Sequence, residues 1–136
     1  MLNRRGFVSG GICATVGLAL SGGRANAQNA PTFALKFLKK TEYPGDKYVC
    51  ILVTLDFAPG ERGARHMHPG VESSFIAAGS ITLSVEGQPD LIVRAGEGYQ
   101  IPPETPHSIR NGPDKSTIVA TFVVEKDKPL VEPAPA

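Results

Sequence analysis

The chain is poor in several features that mark common classes of protein, and each shortage excludes one of them. Only two of its 136 residues are cysteines, and only Cys50 lies beyond the N-terminal leader, so the mature chain has no intrachain disulfide. After the leader there is no stripe of basic residues, which argues against nucleic-acid binding. No stretch of ten or more residues there shows helical periodicity, which argues against helices.

Residues 1–27 have the pattern of an export signal. Arg4 and Arg5 precede an uncharged, glycine-rich apolar run that ends at Gly23, and Ala25-Asn26-Ala27 is a small-x-small cleavage site. The paired arginines followed by Gly-Phe-Val resemble the twin-arginine export motif. The run is too short and too rich in glycine to span a membrane. We therefore expect a protein cleaved after Ala27 and located in the periplasm or secreted.

Cleavage at this point leaves residues 28–136, with 11 basic and 13 acidic side chains once the three leader arginines are removed. The mature net charge is then −2, and the length suits one domain. We predict a single domain over residues 28–125. The proline-rich tail over residues 126–136 is expected to form neither strand nor helix. We expect an extended arm or a disordered end, with an arm laid across a partner subunit as the alternative.

The mature chain has the pattern of short strands separated by turn signals, which predicts an all-β fold. Ile81, Leu83 and Val85 alternate with polar residues, as in a strand with one buried face. The predicted strands are Phe33–Leu38, Tyr48–Phe57, Gly63–His68, Ser74–Ala78, Ser80–Val85, Leu91–Arg94, Tyr99–Pro102, His107–Arg110 and Thr117–Val124.

All three histidines lie in two short clusters that carry the functional signal. His66 and His68 are two residues apart in a predicted strand, so both point to one face about 7 Å apart along the chain. Glu72 follows the bend at Pro69-Gly70, and its carboxylate can reach the same point. His107 must arrive from a distant strand. Three neutral imidazoles and a carboxylate suit a divalent first-row metal, so these four residues are the predicted ligands.

The spacing of these residues resembles the two signature motifs of the cupin superfamily, in particular small single-domain cupins of type 2. The first motif, G-x5-H-x-H-x3,4-E-x6-G, is matched at every fixed position by Gly60, His66, His68, Glu72 and Gly79. The second, G-x5-P-x-G-x2-H-x3-N, is matched by Gly96, Pro102, His107 and Asn111, but Glu104 stands where the family has glycine. The resemblance implies a jelly-roll β-barrel or sandwich, a metal inside each barrel and a homodimer.

The resemblance leaves three functions open, because fold does not imply function. The first is a dioxygenase similar to quercetinases, in which Glu72 is a metal ligand or a base. The second is an isomerase or lyase that uses the metal as a Lewis acid, with Tyr48, Tyr99 or Glu104 as a separate acid or base. The third is a non-catalytic module that binds a small ligand or the metal itself.

Two further expectations concern the metal and the pocket. Twin-arginine export carries folded proteins, so the site would be loaded before it meets periplasmic copper and zinc. This favours iron or manganese and leaves nickel, copper, cobalt and zinc open. Phe75, Ile101 and Ile109 are expected to line an apolar pocket, which favours a small, aromatic or otherwise apolar substrate.

Overall fold

The computed structural model describes residues 33–135, so the predicted leader lies outside the described residues. The fold in this range is all-β, as the sequence predicts. Among the described residues, no helix is long and apolar enough to cross a membrane. The strands are β1 (Ala34–Glu42), β2 (Tyr48–Phe57), β3 (Arg62–Met67), β4 (Gly70–Ala78), β5 (Ser80–Val85), β6 (Leu91–Arg94), β7 (Gly98–Ile101), β8 (His107–Asn111), β9 (Ser116–Glu125) and β10 (Glu132–Pro133).

The strands form two five-stranded antiparallel sheets that enclose one core. One sheet has the order β1-β2-β9-β4-β7 and the other β10-β3-β8-β5-β6. β2 and β9 pair over ten residues each, and alternate residues of both strands are buried. This alternation is the expected result of a strand with one face on the core. Each large apolar side chain that it buries contributes about 1.5–3 kcal/mol to stability.

Strand β4 begins at Gly70, four residues earlier than the predicted start at Ser74. In the sequence, Pro69-Gly70 has the pattern of a bend. In the structure Gly70 pairs with Val124 of β9, and a Cβ at this position would collide with the backbone of Val123 and Val124. Glycine is therefore required here for close approach of two strands. The early start makes Glu72 an inward-facing residue of the strand, and its backbone pairs with that of Phe122.

The prediction that the tail forms no strand is wrong. Glu132 and Pro133 form β10, which pairs antiparallel with Met67 and His66 of β3. Proline cannot donate to a ladder, and β10 satisfies this restriction because it is an edge strand. Leu130, just before β10, packs against the hydrophobic core. The tail therefore folds back onto its own domain at the end of the barrel that carries the histidines.

Candidate metal centre

The backbone pairing of β3 and β8 brings the two histidine clusters together. His66 lies on β3 directly opposite His107, the first residue of β8. A register irregularity between Gly63 and His66 turns the end of β3, and His68 lies just beyond the last residue of the strand. The three imidazole rings have centroids 4.3–5.2 Å apart. The separation of 39 residues between the clusters is thus closed by one antiparallel strand pair.

The side chains of Glu72 and the three histidines converge on one point. Glu72 Oε2 lies 3.2 Å from His68 Nε2 and 3.2 Å from His107 Nε2. His66 Nε2 lies 3.2 Å from His68 Nε2. The ligand atoms of the three histidines all lie within 4.8 Å of one another, so together they could hold a metal ion. The four residues that the sequence singled out are therefore brought together.

Each histidine contacts a backbone carbonyl through Nδ1. The acceptors are Ala64 O at 2.7 Å from His66, Leu130 O at 2.6 Å from His68 and Thr105 O at 2.9 Å from His107. A carbonyl oxygen only accepts, so each Nδ1 must carry the proton. A neutral imidazole with a proton on Nδ1 has its lone pair on Nε2. All three lone pairs thus point into the cluster, as in histidines that bind metals.

The cluster fits a divalent metal because Nε2 of each histidine and Oε2 of Glu72 are all acceptors, and none of these four atoms carries a proton to donate to the others. His107 Nε2 is buried and makes no hydrogen bond, although Glu72 Oε2 is close to it. A buried polar atom left in this state costs about 1–3 kcal/mol. Ligand atoms bound about 2.1 Å from one ion are about 3 Å apart when they meet at right angles. The three contacts of 3.2 Å are close to this spacing, so the four residues fit one cation.

The second oxygen of Glu72 has two hydroxyl donors. Ser74 Oγ donates to Oε1 at 2.6 Å, and Tyr99 OH donates to the same atom at 3.0 Å. Both donors are buried, and they leave Oε2 to face the histidines. Sequence reasoning missed Ser74, although it lies two residues after Glu72 and so on the same face of β4. Tyr99 was predicted as a possible acid or base, and the structure places it as a hydrogen-bond donor to Glu72.

The buried environment sets the charge of these groups. Burial lowers the pKa of His66 to about 4, so this imidazole is neutral at neutral pH. Burial raises the pKa of Glu72, but its contacts with His107, His68 and Ser74 outweigh burial and hold that pKa below its ordinary range. Burial, reinforced by the charge of Glu72, raises the pKa of Tyr99 well above its ordinary value. The cluster therefore contains an ionised carboxylate and a phenol that keeps its proton.

Other predicted site residues lie away from the cluster. Glu104 is exposed, has a left-handed backbone with φ of 55°, and points toward Lys128 on the surface. Its N–H donates to His68 O at 2.9 Å, so the backbone supports the site while the side chain does not enter it. Tyr48 lies partly exposed on the outer face of β2, beneath Lys47. Neither side chain reaches the histidines.

Of the three residues predicted to line a pocket, two face the interior and one faces outward. Ile101 and Ile109 are buried, and Ile101 pairs with Glu72 across β4 and β7. Phe75 is 49% exposed on the outer face of β4. Because side chains alternate along a strand, Phe75 must point away from the face that carries Glu72 three residues earlier.

Asn111 closes the second motif without touching the cluster. Its Nδ2 donates to Ala58 O at 2.6 Å and to Asp114 O at 2.9 Å. Its backbone N–H donates to Glu61 O at 2.7 Å. The residue therefore ties two loops together at the end of β8 opposite His107, and its role is structural.

Access to the cluster is narrow. His68, Glu72 and His107 are 3%, 2% and 0% exposed, whereas His66 is only partly buried. The ring of Phe122 lies 4.7 Å from that of His68 and covers the inner side. Approach from solvent is thus limited to the side of His66, which suits a small molecule.

The comparisons with known proteins identify the family. A model of the Cupin domain matches residues 53–124, which is more than half of the chain and includes all four residues of the cluster. The comparison with curated proteins finds no match.

Solved structures with the same fold include enzymes and proteins without a stated activity. A cupin-like protein from Thermotoga maritima is 22% identical with a TM-score of 0.61, and the match covers 75% of each chain. DMSP lyase DddQ from Ruegeria pomeroyi is 22% identical with a TM-score of 0.62, over 71% of this chain and 49% of the lyase. An oxalate oxidase in complex with glycolate is 26% identical with a TM-score of 0.54, over 62% of this chain and 45% of the oxidase. This chain thus spans about half the length of these two enzymes.

Proposed function

We propose that this chain, which belongs to the cupin family, is a metal-dependent enzyme that acts on a small organic anion, with oxidase or dioxygenase chemistry as the first candidate. The observation that carries the proposal is the convergence of three imidazole lone pairs and one carboxylate oxygen on a single buried point. Iron or manganese bound there would supply Lewis acidity and redox chemistry. His66, His68, Glu72 and His107 would be the ligands.

The residues around the cluster have separate tasks in this proposal. A small molecule would approach beside the partly buried His66, while Phe122 and the buried histidines would exclude bulk water. Ser74 and Tyr99 hold Glu72 through Oε1, so its other oxygen stays directed at the metal. Tyr99 keeps its proton because burial and the neighbouring carboxylate raise its pKa. We therefore assign it to positioning and not to proton transfer.

A small carboxylate is the substrate class with the best support. The entrance is narrow, and one structural neighbour is an oxalate oxidase that binds glycolate. The expectation of an aromatic substrate loses the support of Phe75, which faces outward. A lyase that uses the metal only as a Lewis acid is the second candidate, because another neighbour is a DMSP lyase.

The first test is the metal content of protein purified from its native host, measured beside a His66→Ala/His107→Ala double variant. We expect about one iron or manganese per chain in the wild type and none in the double variant. Only copper or zinc in the wild type would contradict the expected metal. No metal in either protein would overturn the metalloenzyme.

A second measurement separates the three functions. Oxygen uptake with oxalate, glycolate or aromatic acids would support the oxygen-dependent enzyme. Turnover of a small acid without oxygen would support the lyase or isomerase. Binding without turnover of any of these compounds would leave a non-catalytic binding protein.

We also propose export of the folded protein by the twin-arginine route. The support is the sequence of residues 1–27 alone, with Arg4 and Arg5 before a weakly apolar run. The mature protein should begin at Gln28 in the periplasm or medium. An Arg4→Lys/Arg5→Lys variant should stay uncleaved inside the cell, and normal export of this variant would contradict the route.

A homodimer through the outer face of the β1-β2-β9-β4-β7 sheet is a further proposal. Val71 and Phe75 are exposed there, and they pair in register with half-buried Val123 and Val119 of β9. These two apolar pairs, with the polar pair of Ser73 and Thr121 between them, would form the apolar part of the interface. Light scattering should give a dimer for wild type and a monomer for Phe75→Asp. Leu91→Asp, at an equally exposed apolar position on the other sheet, should stay dimeric.

A further inference from the structure

We infer that residues 126–135, which we name the C-terminal strap, position His68 for metal binding through the backbone carbonyl of Leu130. The inference rests on the proposed metal site. His68 Nδ1 lies 2.6 Å from Leu130 O, and the two residues are 62 positions apart in the sequence. A segment that the sequence predicts to be outside the fold thus supplies a direct contact to one ligand.

The three histidines differ in how their rings are held. His66 and His107 each contact the carbonyl of the residue two positions earlier, Ala64 and Thr105. These contacts form with the local strand. His68 lies just beyond β3 and has no local carbonyl partner. Of the three rings, only that of His68 has its Nδ1 partner in a distant part of the chain.

Packing does not replace this contact. Phe122 covers one face of the His68 ring, with centroids 4.7 Å apart. The two edges of an imidazole have almost the same shape, so an apolar neighbour does not select which nitrogen carries the proton. A carbonyl acceptor at Nδ1 does select it, and it leaves Nε2 free to bind a metal. The Leu130 carbonyl therefore determines the tautomer of His68.

The strap is anchored on both sides of this contact. Before it, Glu125 N–H donates to Pro69 O at 3.1 Å and Lys126 N–H donates to Lys47 O at 2.9 Å. After it, Glu132 and Pro133 pair with β3 at Met67 and His66. Leu130 itself packs on the core between these anchors.

The charged contacts of the strap are weaker. Lys128 Nζ lies 3.2 Å from Glu125 and 3.9 Å from Glu104, and all of these groups are substantially solvent-accessible. Exposed ion pairs contribute about 0–1 kcal/mol each. The backbone contacts and Leu130 therefore fix the path of the strap, and Lys128 is a poor place to test it.

The test compares the mature protein with two truncated forms in the absence of metal. One form ends at Glu125 and lacks the strap, and the other ends at Pro133 and keeps β10. Nitrogen-15 NMR of the imidazoles reports which nitrogen of each histidine carries the proton. We expect all three histidines of the full protein to be protonated at Nδ1. Loss of the strap should give His68 a mixture of tautomers and leave His107 unchanged, whereas the form ending at Pro133 should match the full protein.

The same proteins are then titrated with Zn²⁺ alone as a diamagnetic probe. Loss of the strap should weaken zinc binding about 10–100-fold, the usual effect of removing the partner of a metal-bound histidine. An unchanged His68 tautomer together with zinc affinity within twofold of the full protein would overturn the inference. If the tautomers shift as expected but no form binds zinc, the proposed metal site fails and the positioning role of the strap stands.

Two further variants separate the carbonyl from the packing of Leu130. Leu130→Ala keeps the carbonyl and should lose stability without a change of the His68 tautomer; a shift as large as that of the truncation would overturn the inference. Replacing the peptide bond between Leu130 and Val131 by an ester weakens the carbonyl as an acceptor and keeps every side chain. It should shift His68 even if the truncated protein does not fold, and a normal His68 tautomer in the ester form would also overturn the inference.

Discussion

The two ends of the barrel interior are built from the same strands and have opposite chemistry. At one end Leu55, Ile76 and Ile118 are buried in an apolar core. At the other end the buried groups are His68, Glu72 and His107. Strand β4 contributes to both, since Glu72 and Ile76 lie four residues apart on its inward face. The difference shows that one strand can contribute to the apolar core at one end and to the candidate metal centre at the other.

This separation has an energetic consequence. Burial of apolar surface stabilises the first end, while the second contains a histidine nitrogen without a hydrogen bond. The polar end is therefore the costly end in the absence of metal, and a ligand that satisfies it should stabilise the folded state. Substitutions at the two ends should affect different measurements.

The largest expected effects come from a matched pair of alanine variants. His107→Ala removes a fully buried member of the proposed ligand set and should weaken metal binding by more than about 100-fold, since loss of an outer partner alone costs about 10–100-fold. Ile118→Ala leaves a cavity at the apolar end and should lower the free energy of unfolding by about 3 kcal/mol. Isothermal titration and urea unfolding measure the two quantities. The separation of the two ends would be contradicted if His107→Ala kept its metal affinity. It would also be contradicted if Ile118→Ala folded but no longer bound the metal.

The pH dependence of the metal-free protein should come from the polar end. Burial lowers the pKa of His66 from 6.5 to about 4, so the unfolded chain binds the proton more tightly than the folded one. The contribution of neutral His66 to the free energy of unfolding is therefore fully present above pH 6.5 and is lost as the pH falls toward 4. For His66 alone, the loss is about 2 kcal/mol between pH 7 and pH 5. Urea midpoints at the two pH values measure the loss. His66→Gln should show a smaller slope, and an equal slope would assign the effect to other groups.

Glu72→Gln should change stability and metal binding in opposite directions. An amide nitrogen at the position of Oε2 can donate to the facing Nε2 atoms, while the amide oxygen still accepts from Ser74 and Tyr99. The metal-free variant should be more stable by about 1 kcal/mol, the value of a typical hydrogen bond. Its metal affinity should fall because the anionic ligand is lost. Thermal unfolding with and without metal tests both, and a destabilised metal-free variant would mean that no acceptor conflict exists.

The smallest expected effect concerns the position where the family has glycine. Glu104 has φ of 55°, a conformation that costs a residue with a Cβ about 1 kcal/mol. Glu104→Gly should raise the free energy of unfolding by about 0.5–1 kcal/mol, since the lost contact with Lys128 is weak. Glu104→Val should lower it, because a branched side chain fits this conformation poorly. No difference between the two variants would argue against backbone strain at this turn.

The sequence predicted the parts of the molecule that depend on local pattern and fixed spacing. His66, His68, Glu72 and His107 meet as predicted, because the motif spacing encodes one strand pair and one inward face. The error at Phe75 was avoidable, since a residue three positions from Glu72 in one strand faces the other way.

Other features depend on contacts that no local pattern records. The start of β4 at Gly70 follows from a close approach to β9, which a glycine next to a proline does not distinguish from a turn. The fold of the tail depends on Leu130 reaching His68 across 62 residues, and a proline-rich composition predicts the opposite. Partners distant in the sequence were thus the main source of error.

Because a chain is synthesised from its N-terminus, the position of the C-terminal strap determines when the contact with His68 can form. All four residues of the cluster lie between positions 66 and 107, whereas Leu130 is synthesised after every one of them. An ion that meets the nascent chain therefore meets a His68 whose ring is not yet held. The contact that holds His68 can form only when translation has passed Leu130, so the cluster is completed among the last events in the folding of the domain.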